Sequence, residues 1–316
     1  MKRIAFIFIS LLYFPAFSQI FDHKYISTDE IPVEYIELVK QNCKFQWGGQ
    51  SHGHQILTGL KLAELDNPLL DVTVGDGTTG YENGGFLPDS NGTFCVMDGI
   101  VALYAQCGEC CTNWIGPLNY WDGEGPLKLA RTFNCYPDIN ISGWVWCTEL
   151  NYFTEAEVQY YFERMEALQE AYPSIQFIYS TATSEYTGDA GYNRWLRNNQ
   201  IRQYCVDNNK ILFDFADIEC WYQGDYSYYI YSTGDTVPTR HPMYPDEGYH
   251  HTNYENCANK GRVFWNLMAY IEGWRPCDEY NHELWKQQVG LSGPNLESDC
   301  NCDQQVDNKD KNMFDK

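Results

Sequence analysis

The segment Cys43-Lys44-Phe45-Gln46-Trp47-Gly48-Gly49-Gln50-Ser51-His52-Gly53-His54-Gln55 has the pattern of a strand that turns directly into a helix. Residues 43–48 are a short, mostly apolar run of the kind that forms a buried strand. Residues 51–65 continue as a helix, because their large apolar side chains recur on or near one face. A buried strand followed at once by a helix is typical of an α/β fold.

Strand and helix patterns alternate along the rest of the chain. Further strands are predicted at 69–74, 138–147, 175–181 and 210–215. Helices are predicted at 32–42, 96–106, 154–172, 190–208 and 257–273. The strands have few alternating polar positions, which favours a parallel sheet covered by helices on both faces. We therefore predict a three-layer α/β/α fold with a five-stranded parallel sheet.

Composition and charge limit the possible functions. The chain has 316 residues, of which 44% are hydrophobic and 16% aromatic, so a sizeable core is expected and wholesale disorder is excluded. The formal net charge is −22. This charge repels nucleic-acid phosphates and anionic lipids, so neither a nucleic acid nor a membrane is expected as a partner. We predict one domain over 19–295 in a monomer, followed by a polar tail over 296–316.

The first 18 residues have the pattern of a secretory signal peptide. A basic start, Met1-Lys2-Arg3, precedes an apolar run that ends in the small-x-small site Ala16-Phe17-Ser18. The apolar run has about 14 residues, fewer than the roughly 20 that a membrane-spanning helix needs. We therefore expect cleavage before Gln19 and a secreted or periplasmic protein.

Cysteine usage agrees with export. The chain contains 13 cysteines, so disulfides are expected, and at least one thiol stays unpaired in a monomer. Cys107, Cys110 and Cys111 form a cluster that we assign to disulfides rather than to a structural metal. The reason is that no second ligand cluster follows at zinc-finger spacing.

Polar side chains follow the ends of the predicted strands, where parallel sheets form their sites. Ser51 lies at a strand-to-helix turn, where its hydroxyl could attack a substrate and free helix N–H groups could hold an oxyanion. The alternative is that Ser51 only caps the helix. His250 and His251 end a long loop before the last helix. A histidine there could act as a general base oriented by a carboxylate, or could be an ordinary loop residue.

Several blocks of the sequence resemble the SGNH (GDSL-type) hydrolase superfamily, and more closely a group of uncharacterised secreted bacterial proteins of this type. The blocks are Gly48–Gln55, Trp146–Glu149, Phe213–Glu219, His250–Thr252, Asn256-Cys257 and Lys260–Asn266. The resemblance implies a flavodoxin-like sheet with the nucleophile after its first strand and the base before its last helix. It implies Ser51 as nucleophile and His251, rather than His250, as its base. We expect no cofactor.

The chain departs from the superfamily pattern beside the nucleophile and at the position that should orient the base. Gln50 precedes Ser51 where the superfamily usually has Asp, and Gly248 stands three residues before His251 where Asp is usual. Asp217, or alternatively Glu247, would have to orient the imidazole.

Glu149 is a second departure, because the matching position of the superfamily normally supplies a neutral Asn or Gln to the oxyanion. Burial could keep Glu149 protonated, so that it still donates a hydrogen bond. Backbone N–H groups near Ser51 and Gly53 could replace it. Alternatively, Glu149 is an acid or base in a different chemistry.

We therefore expect a secreted ester hydrolase that acts on carbohydrate esters or a small ester. The expected catalytic residues are Ser51, His251, Asp217 and Glu149. The expected oxyanion and substrate-binding residues are Gly53, His52, His54, His250 and Asp214. The alternatives are a polysaccharide lyase that uses Glu149 or His251 as base, and a non-catalytic glycan-binding protein.

Two further patterns bear on the ligand. The predicted loop 221–256 is rich in Tyr and Trp, which could stack on sugar rings or could only pack the loop. Four histidines could in principle bind a metal: His52, His54, His250 and His251. We do not expect a metal site, because helix positions two apart do not face together.

Overall fold

The described part of the chain, in a computed structural model, covers residues 19–75, 85–107, 111–248 and 251–275, together with residue 292. Its strands are β1 (Ile20–Phe21), β2 (Lys44–Gly48), β3 (Val72–Gly75), β4 (Phe94–Asp98), β5 (Ile100–Val101), β6 (Cys111–Thr112), β7 (Ile141–Trp144), β8 (Gln176–Ser180), β9 (Leu212–Phe213), β10 (Trp221–Tyr222), β11 (Asp225–Tyr226), β12 (Tyr228–Ile230) and β13 (Thr236–Pro238). Its α-helices are α1 (Val33–Asn42), α2 (Ser51–Asp66), α3 (Gly125–Cys135), α4 (Glu155–Ala171), α5 (Gly188–Asp207), α6 (Phe215–Cys220) and α7 (Tyr254–Ile271).

The central sheet has seven parallel strands in the order β1-β9-β8-β7-β2-β4-β3. The five predicted strands all occur in it, with bounds that differ by a few residues. The sheet is nevertheless larger than predicted, because β1 and β4 were missed. The helix predicted at 96–106 is wrong, since β4 covers its start. All five residues of β4 are buried, and an apolar run without alternation does not distinguish a strand from a buried helix.

Helices cover both faces of this sheet. One core cluster joins the sheet to α1, α2 and α7, and a second cluster joins it to α3, α4 and α5. The α/β fold with a parallel sheet between helical layers is therefore confirmed. The helices α3 and α6 were not predicted. None of the helices among the described residues is long and apolar enough to cross a membrane.

Several sequence predictions lie outside the described residues. They are the signal peptide over 1–18, Cys110, His250 and the tail over 296–316. Cys107 forms a disulfide with Cys135, so the assignment of Cys107 to a disulfide is confirmed.

The strand order places a topological switch point beside β2. Strands β3 and β4 lie on one side of β2, whereas β7, β8 and β9 lie on the other. Connections therefore leave β2 and β7 in opposite directions, which opens a crevice above the carboxyl ends of these two strands. Sheets of this class bind their ligands at such a crevice.

A close contact between α2 and α7 fixes the position of α2 on the sheet. A Cβ atom on Gly59 would lie 1.9 Å from the carbonyl oxygen of Cys257. A Cβ atom on Gly261 would lie 2.1 Å from the carbonyl carbon of Gly59. The two backbones thus touch directly, and neither position has room for a side chain.

We predict that Gly59→Ala and Gly261→Ala each lower the free energy of unfolding by about 1–3 kcal/mol, because overpacking forces the helices apart. At an uncrowded helix position the same change would stabilise by about 1 kcal/mol, so the sign is diagnostic. Urea unfolding measures the effect. Leu65→Ala is the control, because Leu65 is an exposed residue of α2 and its truncation should change stability by less than about 0.5 kcal/mol. A stabilising effect of Gly59→Ala would contradict the close contact.

Candidate active site

Three neighbouring strands bring His52, Cys147 and Glu185 together. His52 is the second residue of α2, which follows β2. Cys147 lies three residues after the end of β7, and Glu185 lies five residues after the end of β8. Since β8, β7 and β2 are adjacent and parallel, these three side chains meet at the carboxyl edge of the sheet.

His52 contacts both of the other side chains through different ring nitrogens. Its Nδ1 atom lies 2.9 Å from Cys147 Sγ, within hydrogen-bond distance. Its Nε2 atom lies 3.3 Å from Glu185 Oε1. This second contact is an ion pair whose angle does not meet hydrogen-bond geometry. A thiol and a carboxylate that contact opposite nitrogens of one imidazole are the components of a nucleophilic Cys-His-acid arrangement.

The electrostatics of this cluster favour the charged form of the Cys147–His52 pair. Burial alone would lower the pKa of His52, but the contacts with Cys147 and Glu185 outweigh it and raise the pKa to about 9. Burial alone would raise the pKa of Cys147, but the hydrogen bond and positive charge of His52 hold it below the ordinary thiol value. The adjacent N-terminus of α2 also favours a thiolate. Both shifts favour a thiolate and an imidazolium over a neutral thiol and a neutral imidazole.

Ser51 is the first residue of α2, and its Oγ atom lies 3.7 Å from Cys147 Sγ. The capping position is occupied by Gln50, which makes no side-chain capping bond, so Ser51 is not the helix cap. The first backbone bond within the helix is donated by His54 to Gln50. The N–H groups of Ser51, His52 and Gly53 precede that bond, and such groups can donate hydrogen bonds to an oxyanion.

His251 lies beside the cluster but is not bonded to Ser51. Its ring stacks on the ring of His52, with centroids 5.2 Å apart, and 48% of its side chain is exposed. The nearest carboxylate is Asp246, whose Oδ2 atom lies 3.8 Å from Nδ1 of His251. Among the described residues, no hydrogen bond joins His251 to Ser51. The backbone of His251 has φ 77°, a strained left-handed conformation for a residue with a side chain.

Asp217 and Asp214, predicted as site residues, have other partners. Asp217 accepts the backbone N–H of His23 at 3.0 Å and also contacts the His23 ring, so it is not the carboxylate that contacts His251. Asp214 accepts two bonds from the Arg202 guanidinium, at 2.6 and 2.8 Å. Both carboxylates follow β9, which is separated from β7 by a full strand, and this explains their distance from the Cys147 cluster.

His54 faces a different part of the sheet edge from His52. Its Nδ1 atom contacts the Gln50 carbonyl at 3.1 Å, and its Nε2 atom lies 3.5 Å from Asp98, which ends β4. The two histidines therefore point to different partners, as the helix spacing predicts.

Glu149 lies in a short 3-10 helix, Thr148–Asn151, directly after Cys147. Burial raises the pKa of its carboxyl, against the lowering effect of backbone N–H groups and of His52. Its Oε1 atom is buried without a hydrogen-bond partner. Glu149 therefore takes up a proton more readily than an exposed glutamate. A protonated Glu149 is one of the alternatives that the sequence left open.

One group of side chains among the described residues could offer three metal ligands. Asp22, His23 and Asp217 place their donor atoms within 4.8 Å of one another, near the ends of β1 and β9. Asp22 already caps the turn that follows by accepting from Lys24 N, and Asp217 pairs with His23. Because the protein supplies partners to both carboxylates, we assign no metal there.

A polar pocket of about 350 Å³ adjoins the cluster on the Glu185 side. Its lining residues are Glu185, Tyr186, Thr239, Arg240, Asp246 and His251. The Arg240 guanidinium lies 2.9 Å from Glu185 Oε1, so this carboxylate is shared between Arg240 and His52. The pocket offers hydrogen-bond donors and acceptors, the phenol ring of Tyr186 and the imidazole ring of His251.

Sequence reasoning missed Cys147 as a reactive residue and Glu185 altogether. Cys147 stood in a matched sequence block, but disulfides were the default expectation for the 13 cysteines of a chain predicted to be exported. It is one of the free cysteines of the described chain. The rule that sites lie after parallel strands pointed to the residues after 181, where Glu185 could have been noticed.

We predict that Cys147 is alkylated by iodoacetamide at about pH 6 more rapidly than the other free cysteines of the described residues, because thiolate, not thiol, is the nucleophile. Four other free cysteines are internal controls, since burial raises the pKa of Cys43, Cys205, Cys220 and Cys257. His52→Asn should slow the labelling of Cys147 by at least about tenfold, because Asn provides no positive charge. Mass spectrometry of the peptides measures each rate. Equal labelling of all five thiols would contradict the ion pair.

Comparisons with known proteins add no family to this description. No protein-family model matches the sequence, and no curated protein matches it either. The structure shows an α/β fold with a seven-stranded parallel sheet, and it gives the positions of the side chains at the carboxyl edge of this sheet. The function is therefore argued from that geometry.

Proposed function

We propose that the protein is a secreted ester hydrolase in which Cys147 is the nucleophile and His52 is its acid and base. The observation that carries the proposal is the contact of 2.9 Å between His52 Nδ1 and Cys147 Sγ, with Glu185 on the opposite ring nitrogen. The resemblance to SGNH hydrolases supports the same class of reaction, acyl transfer from an ester to water. In this proposal the nucleophile follows the middle strand β7 rather than β2.

The reaction proceeds in two steps through a covalent intermediate. The Cys147 thiolate attacks the ester carbonyl, and the protonated His52 gives its proton to the departing alcohol, which leaves an acyl thioester on Cys147. Neutral His52 then takes a proton from water, and the resulting hydroxide attacks the thioester. The carboxylic acid departs, and the thiolate and imidazolium are restored.

The oxyanion of each step needs donors that are already in position. The candidate donors are the hydroxyl of Ser51, whose Oγ atom lies 3.7 Å from Cys147 Sγ, and the N–H groups at the start of α2. Losing one such donor typically costs about 3 kcal/mol of barrier. Glu149, if protonated, would be a further donor.

The pocket beside Glu185 supports a carbohydrate as the alcohol part of the ester. Its lining of hydroxyl, guanidinium and carboxylate groups matches sugar hydroxyls, which donate and accept hydrogen bonds. Tyr186 is 51% exposed and offers a face for stacking on a sugar ring. A long acyl chain would need an apolar lining, which these residues do not provide.

Ser51 is the second candidate for the nucleophile. The observation in its favour is its place at the β2–α2 turn, 3.7 Å from Cys147 Sγ, where an acyl group could reach either atom. A serine mechanism requires a neutral imidazole as base. The raised pKa of His52 disfavours that state at neutral pH.

We predict that Cys147→Ala lowers kcat toward p-nitrophenyl acetate and acetylated glycans by at least about 100-fold, because the covalent step is lost. Acid quenching of wild-type enzyme during turnover should trap an acyl group on the peptide that contains Cys147. Peptide mass spectrometry identifies the position. Ser51→Ala is the matched control and should still form this adduct, more slowly. An adduct on Ser51, or unchanged turnover in folded Cys147→Ala, would overturn the thiol mechanism, whereas wild-type protein that turns over neither ester would leave a glycan-binding protein or a lyase.

We predict a bell-shaped pH profile of kcat/KM. The rate rises as Cys147 loses its proton, below the ordinary thiol pKa, and falls as His52 loses its proton near its pKa of about 9. The decline follows because a neutral imidazole cannot protonate the leaving alcohol. A rate that keeps rising through this range would instead indicate a neutral base, as a serine nucleophile requires.

A further inference from the structure

A buried ion pair between Lys260 and Glu219 lies behind the Cys147 cluster. Lys260 belongs to α7 and Glu219 to α6, and neither residue has any exposed surface. The Lys260 Nζ atom lies 2.8 Å from Glu219 Oε1. Two charges in a protein interior cost desolvation energy, and an apolar pair of similar volume often gives equal or greater stability. Stability alone therefore does not account for this pair.

Lys260 reaches α2 as well as α6. Its Nζ atom donates a hydrogen bond to Gln55 Oε1, one helical turn after Ser51, and lies 3.9 Å from the centroid of the Phe215 ring. The contact with Gln55 ties Lys260 to the first turns of α2, which carry His52.

Glu219 holds the segment that carries Glu185. Its Oε2 atom accepts the backbone N–H of Ser184 at 2.6 Å and the hydroxyl of Thr183 at 2.9 Å. Its backbone carbonyl accepts the N–H of His241, next to Arg240 of the pocket. One carboxylate thus fixes the two residues that immediately precede Glu185.

The charged state of Glu219 also matters to His52. Burial alone would raise the pKa of Glu219, but the positive charges of Lys260 and His52 lower it to about 2. Burial lowers the pKa of Lys260, against the opposing pull of Glu219. The titratable groups that interact electrostatically with the pair include His52, Arg194, Cys220, Arg240, Tyr244 and Cys257.

We propose that the Lys260–Glu219 pair is the positioning device of the active site. Through Gln55 on one side and Thr183 and Ser184 on the other, it sets the separation at which His52 contacts Cys147 and Glu185 together. Both residues act through these neighbours and do not touch the substrate. This inference rests on the proposed function, because the ion pair is proposed to align the catalytic groups that this function requires.

The test replaces the pair by apolar residues in the full-length protein, as Glu219→Leu with Lys260→Met. A thermal melt and near-UV circular dichroism establish folding. We expect kcat for p-nitrophenyl acetate to fall by about 10- to 100-fold with little change in KM, because misplacement of catalytic groups costs about this much. We also expect the pH profile of Cys147 alkylation to move toward higher pH. The control double variant is Lys40→Met with Asp71→Leu, which removes an ion pair between α1 and the segment before β3 and should leave both readouts unchanged.

Two milder variants keep the inference testable if the double variant does not fold. Gln55→Met removes the contact to α2, and Thr183→Val removes one contact to the 183–185 segment, while both leave the ion pair in place. Each should lower kcat and shift the alkylation profile in the same direction, by a smaller factor. Folded variants with wild-type kcat and an unchanged alkylation profile would overturn the positioning role. Failure of the thiol mechanism would be seen separately, as full activity of Cys147→Ala.

Discussion

The contact between His52 Nδ1 and Cys147 Sγ is the interaction on which the site depends. It exists because β2 and β7 are neighbours at the switch point of a parallel sheet, so residues that follow them meet at one edge. The direct backbone contact between α2 and α7 at Gly59 and Gly261 holds the start of α2 in place. The adjacent strands β2 and β7 thus bring His52 and Cys147 close together, and the contact between α2 and α7 orients the His52 imidazole.

At this edge of the sheet, carboxylates lie in contact with positively charged side chains. The Glu185 carboxylate lies between His52 and Arg240, and Glu219 lies against Lys260. A buried carboxylate without a cation would take up a proton and lose its effect on its neighbours. The net charge of the chain is −22, yet the site is locally balanced, which allows a thiolate and an imidazolium to coexist in a nearly dry environment.

The sequence was sufficient for the fold class and for the edge of the sheet that carries the site. The strand-to-helix turn at Ser51 was predicted because such a turn is a local feature, whereas β4 was misassigned because a fully buried strand has no alternation. The His52–Cys147–Glu185 cluster was not found, since it joins residues from three strands whose order no local pattern specifies. For the same reason the sequence could not show the partner of Asp217. This carboxylate is of a suitable type to orient His251, but the strand order places it beside His23.

The most direct test of the account is the ionisation of Cys147 itself. Thiolate absorbs in the far ultraviolet where thiol does not, so the difference between wild-type protein and Cys147→Ala, recorded against pH, titrates this one group. We expect the Cys147 thiolate to persist below the ordinary cysteine pKa of about 8.5, and this shift to be lost in His52→Asn. A thiol that titrates at or above the ordinary value in the wild-type protein would contradict it.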